Sequence, residues 1–171
     1  MAVEVTEVVL ALGSNLGDRV GNLRAAIALL AENGVTTLRP SSVWETDPVP
    51  ADQPAFLNAV VVAHTNSNAH ELLRIAKDTE HLLGRRPGRR WGPRPIDIDI
   101  LFFGDEVIVT SDLTVPHPLI SDRAFVLVPL AEVVRGPLPV LGATAIELFA
   151  RLGAHAGDGM RRMELVLATE S

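Results

Sequence analysis

The amino-acid sequence predicts an α+β fold, an antiparallel sheet with helices on one face, followed by a C-terminal extension. Three observations lead there. From residue 4 to residue 103, segments of strand character and segments of helical periodicity follow one another as strand, helix, strand, strand, helix, strand. Each helical segment opens on a side chain able to cap it and closes at a Gly. The chain has 171 residues, 47% of them hydrophobic, which suffices for the core of one domain, and it shows no internal repeat or linker, so residues 1–171 are read as a single domain. The element order is that of the split βαβ, or ferredoxin-like, pattern.

Each element has its own local reason. Residues 4–12, EVTEVVLAL, are β-branched and apolar and run into Gly13-Ser14-Asn15, so they form a buried strand ending in a turn. Asp18 then opens a helix whose Val20, Leu23, Ile27 and Leu30 recur at helical spacing, and Asn33-Gly34 closes it. Residues 36–45 read as the second strand, and the three prolines of residues 46–54 exclude regular pairing. FLNAVVVAHT, Phe56 to Thr65, is the third strand. Asn68 with Glu71 three residues on suits a capping box, and Leu72, Ala76, Thr79 and Leu83 give the next helix its stripe. Gly84 ends that helix, and residues 96–103 form the fourth strand.

The remaining residues are less regular. Asp105 to Ile108 is expected to make a short hairpin with the strand before it, LTVPHPLISDR to be loop, and residues 124–134 to be helical despite Pro129. Residues 145–152 read as another helix, and residues 163–168 as a strand with no assigned place.

Composition excludes several functions. With no Cys, disulfide frameworks, Cys-ligated zinc, iron–sulfur clusters and thiolate catalysis are ruled out. The first residues lack a basic leader and no apolar run reaches membrane-spanning length, so a cytoplasmic protein with no membrane partner is expected. The net charge of -6 argues against nucleic-acid binding through bulk charge. It hides a local contrast, because GRRPGRRWGPR (Gly84 to Arg94) holds five Arg and no acid.

That stretch runs directly into Asp97-Ile98-Asp99-Ile100. On a strand the two Asp share a face, with Cα atoms roughly 6 to 7 Å apart, and at that distance they repel by roughly 2 to 3 kcal/mol at an effective dielectric near 20. A hard cation such as Mg2+, which prefers oxygen ligands and sits between carboxylates and phosphates, would relieve the repulsion. The alternative is an alternating strand facing solvent. Arg85, Arg86, Arg89, Arg90 and Arg94 taken alone also suit a solvated loop or an RNA-binding strip. Beside two carboxylates they suit polyphosphate transfer, since guanidinium forks pair with phosphate oxygens. No GxxxxGK[ST] sequence is present. Gly13 to Gly17 is either a phosphate loop or a tight turn. His117 is held between prolines, and Trp91 and Phe56 are better placed than Trp44, read as core, to stack on a planar ligand.

At this point a family resemblance emerges. RWGPRPIDIDILFFGD (Arg90 to Asp105) resembles the RWGPRxxDxDI signature of the 6-hydroxymethyl-7,8-dihydropterin pyrophosphokinase family of folate biosynthesis. ALGSNLGD (Ala11 to Asp18), DQPAFLNAV (Asp52 to Val60) and LTVPHPLISDRAFVLVPL (Leu113 to Leu130) resemble its other blocks in the same order. The resemblance implies transfer of pyrophosphate from ATP to the hydroxymethyl group of the pterin, with release of AMP. It implies two Mg2+ ions on Asp97 and Asp99, with Asp99 assisting deprotonation, and phosphate-gripping Arg85 and Arg94, with Arg86 or Arg89 as a further contact. Trp91 and Arg94 would belong to a loop closing over the substrates. The pterin side would comprise Thr46, Pro48, Val49, Phe56, Asn58 and Phe125. The ATP side would comprise Glu80, Ile100, Leu113, Thr114, His117 and Arg123, with Lys77 where related enzymes often have Gln. A monomer, able to associate with neighbouring folate enzymes, is the implied assembly.

The chain departs from the pattern in a segment one residue shorter between Arg85 and Trp91, a shorter proline-rich loop, Phe56 in place of a frequent Tyr, and Pro118 where an aromatic can occur. Two rivals remain on the same scaffold. A nucleic-acid module would need exposed aromatics on central strands, and Tyr is absent. A regulatory ligand-binding domain would leave the paired Asp beside five Arg without a purpose.

Overall fold

The computed structural model describes residues 4–48, 50–86 and 92–167, with the backbone alone for Val166. Nine residues, Thr6–Ser14, form β1, and Asp18 caps the helix that follows by accepting a hydrogen bond from the Gly21 N–H at 3.0 Å. That helix is α1, Arg19–Glu32, and it ends before Gly34, whose φ of +83° is costly for a residue with a side chain. Strands β2 (Val35–Pro40), β3 (Ser42–Thr46) and β4 (Phe56–Thr65) come next, then α2 (Ala69–Leu82) with the expected reciprocal capping box between Asn68 and Glu71. After β5 (Asp97–Phe103) the chain makes β6 (Ile108–Val109), β7 (Thr114–Val115), a short 3-10 turn at Ile120–Asp122, α3 (Ala124–Val133), α4 (Ala145–Arg151) and β8 (Met160–Val166).

The main sheet runs β5-β1-β4-β3-β8, with β2 also paired to β4, and every pairing is antiparallel. With β2 and β3 counted as one interrupted strand, its first four members have the ferredoxin-like order, and β8 adds an edge. The interruption corrects the single strand expected over residues 36–45. Ser41 does not continue the ladder with its side chain idle: its N–H donates to the Val60 carbonyl at 2.8 Å and its hydroxyl accepts from the Val60 N–H at 2.9 Å. A hydroxyl thus replaces a backbone partner where the register shifts.

Helices cover both faces of the sheet, not one. On one face α1 and α2 pack Leu23, Ile27, Leu30, Leu72 and Ala76 against Leu10, Leu12, Leu57, Val61, Ile98 and Ile100. On the other, α3 and α4 pack Val126, Leu127, Leu130 and Leu148 against Val9, Val60, Val62, Leu101 and Phe102. The physical reason is written in β4, whose Leu57 to Ala63 run is buried at both parities, so neither face can be left in water. Each fully buried Leu contributes roughly 1.5 to 3 kcal/mol relative to exposure.

Three further expectations are corrected in the C-terminal part. Ile108 and Val109 pair with Thr114 and Val115, not with the preceding strand, so part of the expected loop is strand. The same loop holds the 3-10 turn. The strand expected over residues 163–168 is β8, which starts at Met160 and pairs with β3. Among the described residues no helix is long and apolar enough to cross a membrane.

Candidate active site

The carboxylates of β5 owe their direction to the strand's period of two. Ile98 and Ile100 enter the core below α1 and α2, so Asp97 and Asp99 rise on the opposite face, where α3 begins. Farther along, the register with β1 slips between Val9 and Leu10, and Leu101 and Phe102 both turn toward α3. The slip lies beyond the acidic pair and leaves its alternation intact.

Around Asp97 the structure assembles a chain of charges. Arg85 Nη1 donates to Glu80 Oε2 at 2.6 Å and to Asp97 Oδ1 at 2.8 Å, while Arg94 Nη1 stands 3.5 Å from Asp97 Oδ1. Glu80, on α2 and only 3% exposed, also accepts from the Ile98 N–H at 2.8 Å, and Lys77 Nζ lies 3.6 Å from its other oxygen. Burial raises the Glu80 pKa, and the Ile98 N–H, Lys77 and Arg85 oppose that rise. Glu80 therefore fastens α2 to β5 and aims Arg85 at Asp97.

Asp99 is less well compensated. Its partner Arg123 stands 3.8 Å away, and burial together with the neighbouring Asp97 pushes its carboxyl up to about 6. Arg123, at the start of α3, also lies over the Phe125 ring, 5.5 Å from its centroid. His117 is held by its N–H on the Leu101 carbonyl at 3.0 Å, and its Nδ1 accepts from the Leu119 N–H at 3.2 Å. Burial and the charge of Arg123 lower its pKa, and with Nδ1 accepting, the proton of the neutral ring sits on Nε2.

The sheet next to the carboxylates carries a second cluster. Gly13 of β1 stands between Asp97 of β5 and Asn58 of β4 in register. A Cβ there would lie 3.1 Å from Asn58 Oδ1 and 3.6 Å from a ring carbon of Phe56, so Gly13 keeps this surface clear of a side chain. Asn58 donates to Thr46 Oγ1 at 2.8 Å, and Thr46 pairs across the ladder with Phe56. An aromatic face and an amide thus lie across β1 from the acidic pair, and a hydroxyl lies on β3 beyond them.

Asn15, wholly buried, ties the two halves together and was not singled out by sequence reasoning beyond its turn. Its Oδ1 accepts from the Arg94 N–H at 2.7 Å, its N–H donates to the Arg94 carbonyl at 3.0 Å, and its amide group donates to Gln53 Oε1 and the Pro54 carbonyl at 2.9 and 3.1 Å. The Gly13 to Gly17 segment is in this respect a turn that binds two loops. The polar pair Asn15 and Gln53, neither with a chemical task of its own, was the available signal.

The structure brings Arg85, Arg94, Asp97, Asp99, Glu80, Arg123 and His117 into one neighbourhood, with Lys77 at its rim, and Thr46, Phe56 and Asn58 into the adjoining one. Phe125 joins through Arg123, and Pro48 is half-buried in the loop after Thr46. Thr114 is half-buried in β7. The side chains of Ile100 and Leu113 lie in the core, 5% and 7% exposed, and are closed to a ligand. Arg86 turns away, donating to the His81 and Arg85 carbonyls at 3.3 and 3.0 Å. Val49, Arg89, Arg90 and Trp91 lie outside the described residues.

A ferredoxin-like α+β protein with paired strand carboxylates, three convergent arginines and an aromatic, amide-lined surface beside them is of the class that handles an anionic, phosphate-bearing ligand next to a planar one. Comparison with known proteins narrows that class. Residues 9–135 match the model of the 7,8-dihydro-6-hydroxymethylpterin-pyrophosphokinase (HPPK) family, and the chain belongs to that family. A 2-amino-4-hydroxy-6-hydroxymethyldihydropteridine pyrophosphokinase of Bacillus subtilis is 51% identical over 126 residues, covering 72% of this chain and 75% of the relative. One from Methylorubrum extorquens is 40% identical over 162 residues, covering 94% of this chain and 100% of the relative. A folate synthesis bifunctional protein of Arabidopsis thaliana is 41% identical over 153 residues, 88% of this chain, and the chain spans only 31% of its length. Among solved structures, wild-type HPPK-DHPS of Plasmodium falciparum with pteroate has a TM-score of 0.78 at 16% identity, covering 95% of this chain and 48% of that one, a likeness of fold.

Proposed function

We propose that this chain transfers pyrophosphate from ATP to the hydroxymethyl group of 6-hydroxymethyl-7,8-dihydropterin and releases AMP, a step of folate biosynthesis. The observation that carries the proposal is the Asp97–Asp99 pair on β5, with Arg85 and Arg94 at Asp97, Arg123 near Asp99, and Asn58 and Phe56 across β1 on β4. Membership of the family and two bacterial relatives bearing the enzyme's name support it.

In chemical terms the pterin hydroxyl oxygen forms a bond to the β-phosphorus of ATP. The bond from that phosphorus to the oxygen bridging it to the α-phosphorus breaks, the bonding pair leaves with AMP, and the hydroxyl loses its proton. Asp99 assists that loss. Arg85 and Arg94 pair with phosphate oxygens, and Glu80 holds Arg85 in line. Arg123 and neutral His117 border the nucleotide side with Lys77, Thr114 and the backbone of Ile100 and Leu113. Thr46, Asn58, Phe56, Phe125, Pro48 and Val49 border the pterin, whose ring faces stack on the two Phe and whose edge meets the Asn58 amide. Arg94 and Trp91 belong to the segment that excludes water over the substrates.

The residues fit magnesium. Asp99 is pushed up to about 6 by burial and by the neighbouring Asp97, so its charged form gains from a cation placed beside it. Two carboxylates on one strand face suit Mg2+, which takes oxygen ligands and commonly fills its other positions with phosphate and water. Asp97 and Asp99 would hold two Mg2+ ions. When bound, these supply positive charge against the phosphates.

Residues 1–171 act as one such domain, as a monomer in the cytoplasm. The fusion implied by the bifunctional relative's name supports association with other enzymes of folate synthesis. The test is direct: with Mg2+, the purified protein converts ATP to AMP only when the hydroxymethyl-dihydropterin is added. ADP as the nucleotide product sinks the proposal.

A further inference from the structure

The family match ends at residue 135, yet a later element reaches the pterin side of the site. β8 pairs with β3 so that Met160 faces Thr46 and Arg161 faces Glu45. The ladder continues one step past the strand, because the Asp47 N–H donates to the Gly159 carbonyl at 3.1 Å.

Side chains reinforce that step. Arg161 donates from Nε and Nη2 to Glu45 Oε1, both at 3.2 Å, and from Nη1 and Nη2 to Asp47 Oδ1, again at 3.2 Å. One guanidinium thus grips the residues on either side of Thr46. On the other flank of Glu45, Arg19 donates to its Oε2 at 2.9 Å and to the Ala55 carbonyl at 3.0 Å, joining the start of the loop that leaves β3 to its return into β4. Glu45 responds as a paired acid, its pKa lowered chiefly by Arg19 and also by Arg161. Gly159 completes the arrangement. Its φ is +77°, and a Cβ on it would come within 2.5 Å of Asp47 Oδ2, so both the turn and the close approach of Asp47 require a residue without a side chain.

The loop so anchored begins at Thr46, whose hydroxyl accepts a hydrogen bond from the Asn58 amide. A displacement of the β3 end would therefore turn the amide that reads the pterin edge, while the carboxylates of β5 stand at the other end of the sheet order, held through Arg85 and Glu80 to α2. We propose that β8 is a brace for the pterin side, with Arg161 as the positioning residue that holds Thr46 and the start of its loop in binding geometry. This rests on the pyrophosphokinase reading above for the identity of the ligand, and on the hydrogen-bond geometry alone for the brace.

The experiment compares the full-length protein with Arg161→Ala and, because Asp47 is exposed and its loss does not threaten folding, with Asp47→Ala. Hydrogen exchange is followed at the residue-47 amide, and KM is measured for each substrate. The expected result in both variants is amide exchange faster by about tenfold and a pterin KM raised by about threefold to tenfold, with the KM for ATP within about twofold of the parent. Arg161→Lys, which keeps the charge but not the fork, falls between. Raising NaCl from about 0.05 to 0.5 M raises the parent's pterin KM toward that of Arg161→Ala and leaves the variant's unchanged. Unchanged exchange, an unchanged pterin KM, or equal rises in both KM values overturns the proposal. If the parent protein forms no AMP, the assigned reaction fails, and the exchange comparison still decides the brace.

Discussion

Two acidic places on one sheet have opposite electrostatics. On β3, Glu45 is enclosed by Arg19 and Arg161, and its charged form is favoured in the fold. On β5, Asp99 is buried and has the like charge of Asp97 beside it, with Arg123 only at 3.8 Å, so its charged form is disfavoured. The first arrangement stabilises the protein. The second costs stability, as expected of a site rather than a staple.

The largest expected effect separates them most sharply. On the proposed mechanism both groups would act on charge in the transition state, so replacing Asp97 and Asp99 together by Ala is expected to lower turnover by at least about a thousandfold, while the melting temperature does not fall. A double variant that turns over normally removes the pair from the mechanism, and one that melts much earlier makes it a staple like Glu45.

Asn15→Ala probes the buried amide between the two halves. It removes the side-chain bonds that Asn15 makes to Arg94, Gln53 and the Pro54 carbonyl, and denaturant unfolding is expected to show a loss of about 2 to 4 kcal/mol. A change below the error of the measurement would show that water replaces Asn15 and that the two loops are not joined through it.

The Asp99 pKa is raised from 3.8 to about 6, so the folded protein holds this proton more tightly than the unfolded chain does. The penalty of ionising it is absent below about 3.8, grows as pH rises toward 6, and is complete above. Asp99→Asn therefore stabilises the magnesium-free protein at pH near 8 by on the order of 1 kcal/mol, after allowance for screening at its solvent-facing edge, and changes little near pH 4. Thermal melts at the two pH values check this, and a lower melting temperature at the higher pH would contradict it.

Glu45 has the opposite sign and the smallest effect. Its pKa lies below the ordinary 4.5, so its contribution is complete above that value and is lost as pH falls through the folded one. Glu45→Gln is expected to flatten the stability profile below pH 4.5 by a few tenths of a kcal/mol or somewhat more, as for a partly exposed ion pair. An unaltered acid limb of the unfolding curve would remove Glu45 from the network's stabilising members.

The two regions also differ in how much of them could be read from residues alone. Asp97 and Asp99 share a face because a strand's period is two, and that is a local property. The cap of α1 at Asp18, the capping box of α2 and the bounds of β4 are local in the same sense, and the structure agrees with all of them. Glu45 showed nothing in the sequence, because its partners lie 26 and 116 residues away.

The amino-acid sequence by itself determined the run of elements up to β5, the acidic pair and the arginine-rich approach to it, since caps, periodicity and spacing act over a few residues. Only the tertiary structure decided that helices cover both faces, that the second strand breaks at Ser41, that Thr114–Val115 joins a small hairpin, that Asn15 spans two loops, and that β8 closes on β3. Each of these depends on which distant backbone offers the free hydrogen-bonding edge or the uncovered apolar face, and that is settled when the sheet assembles.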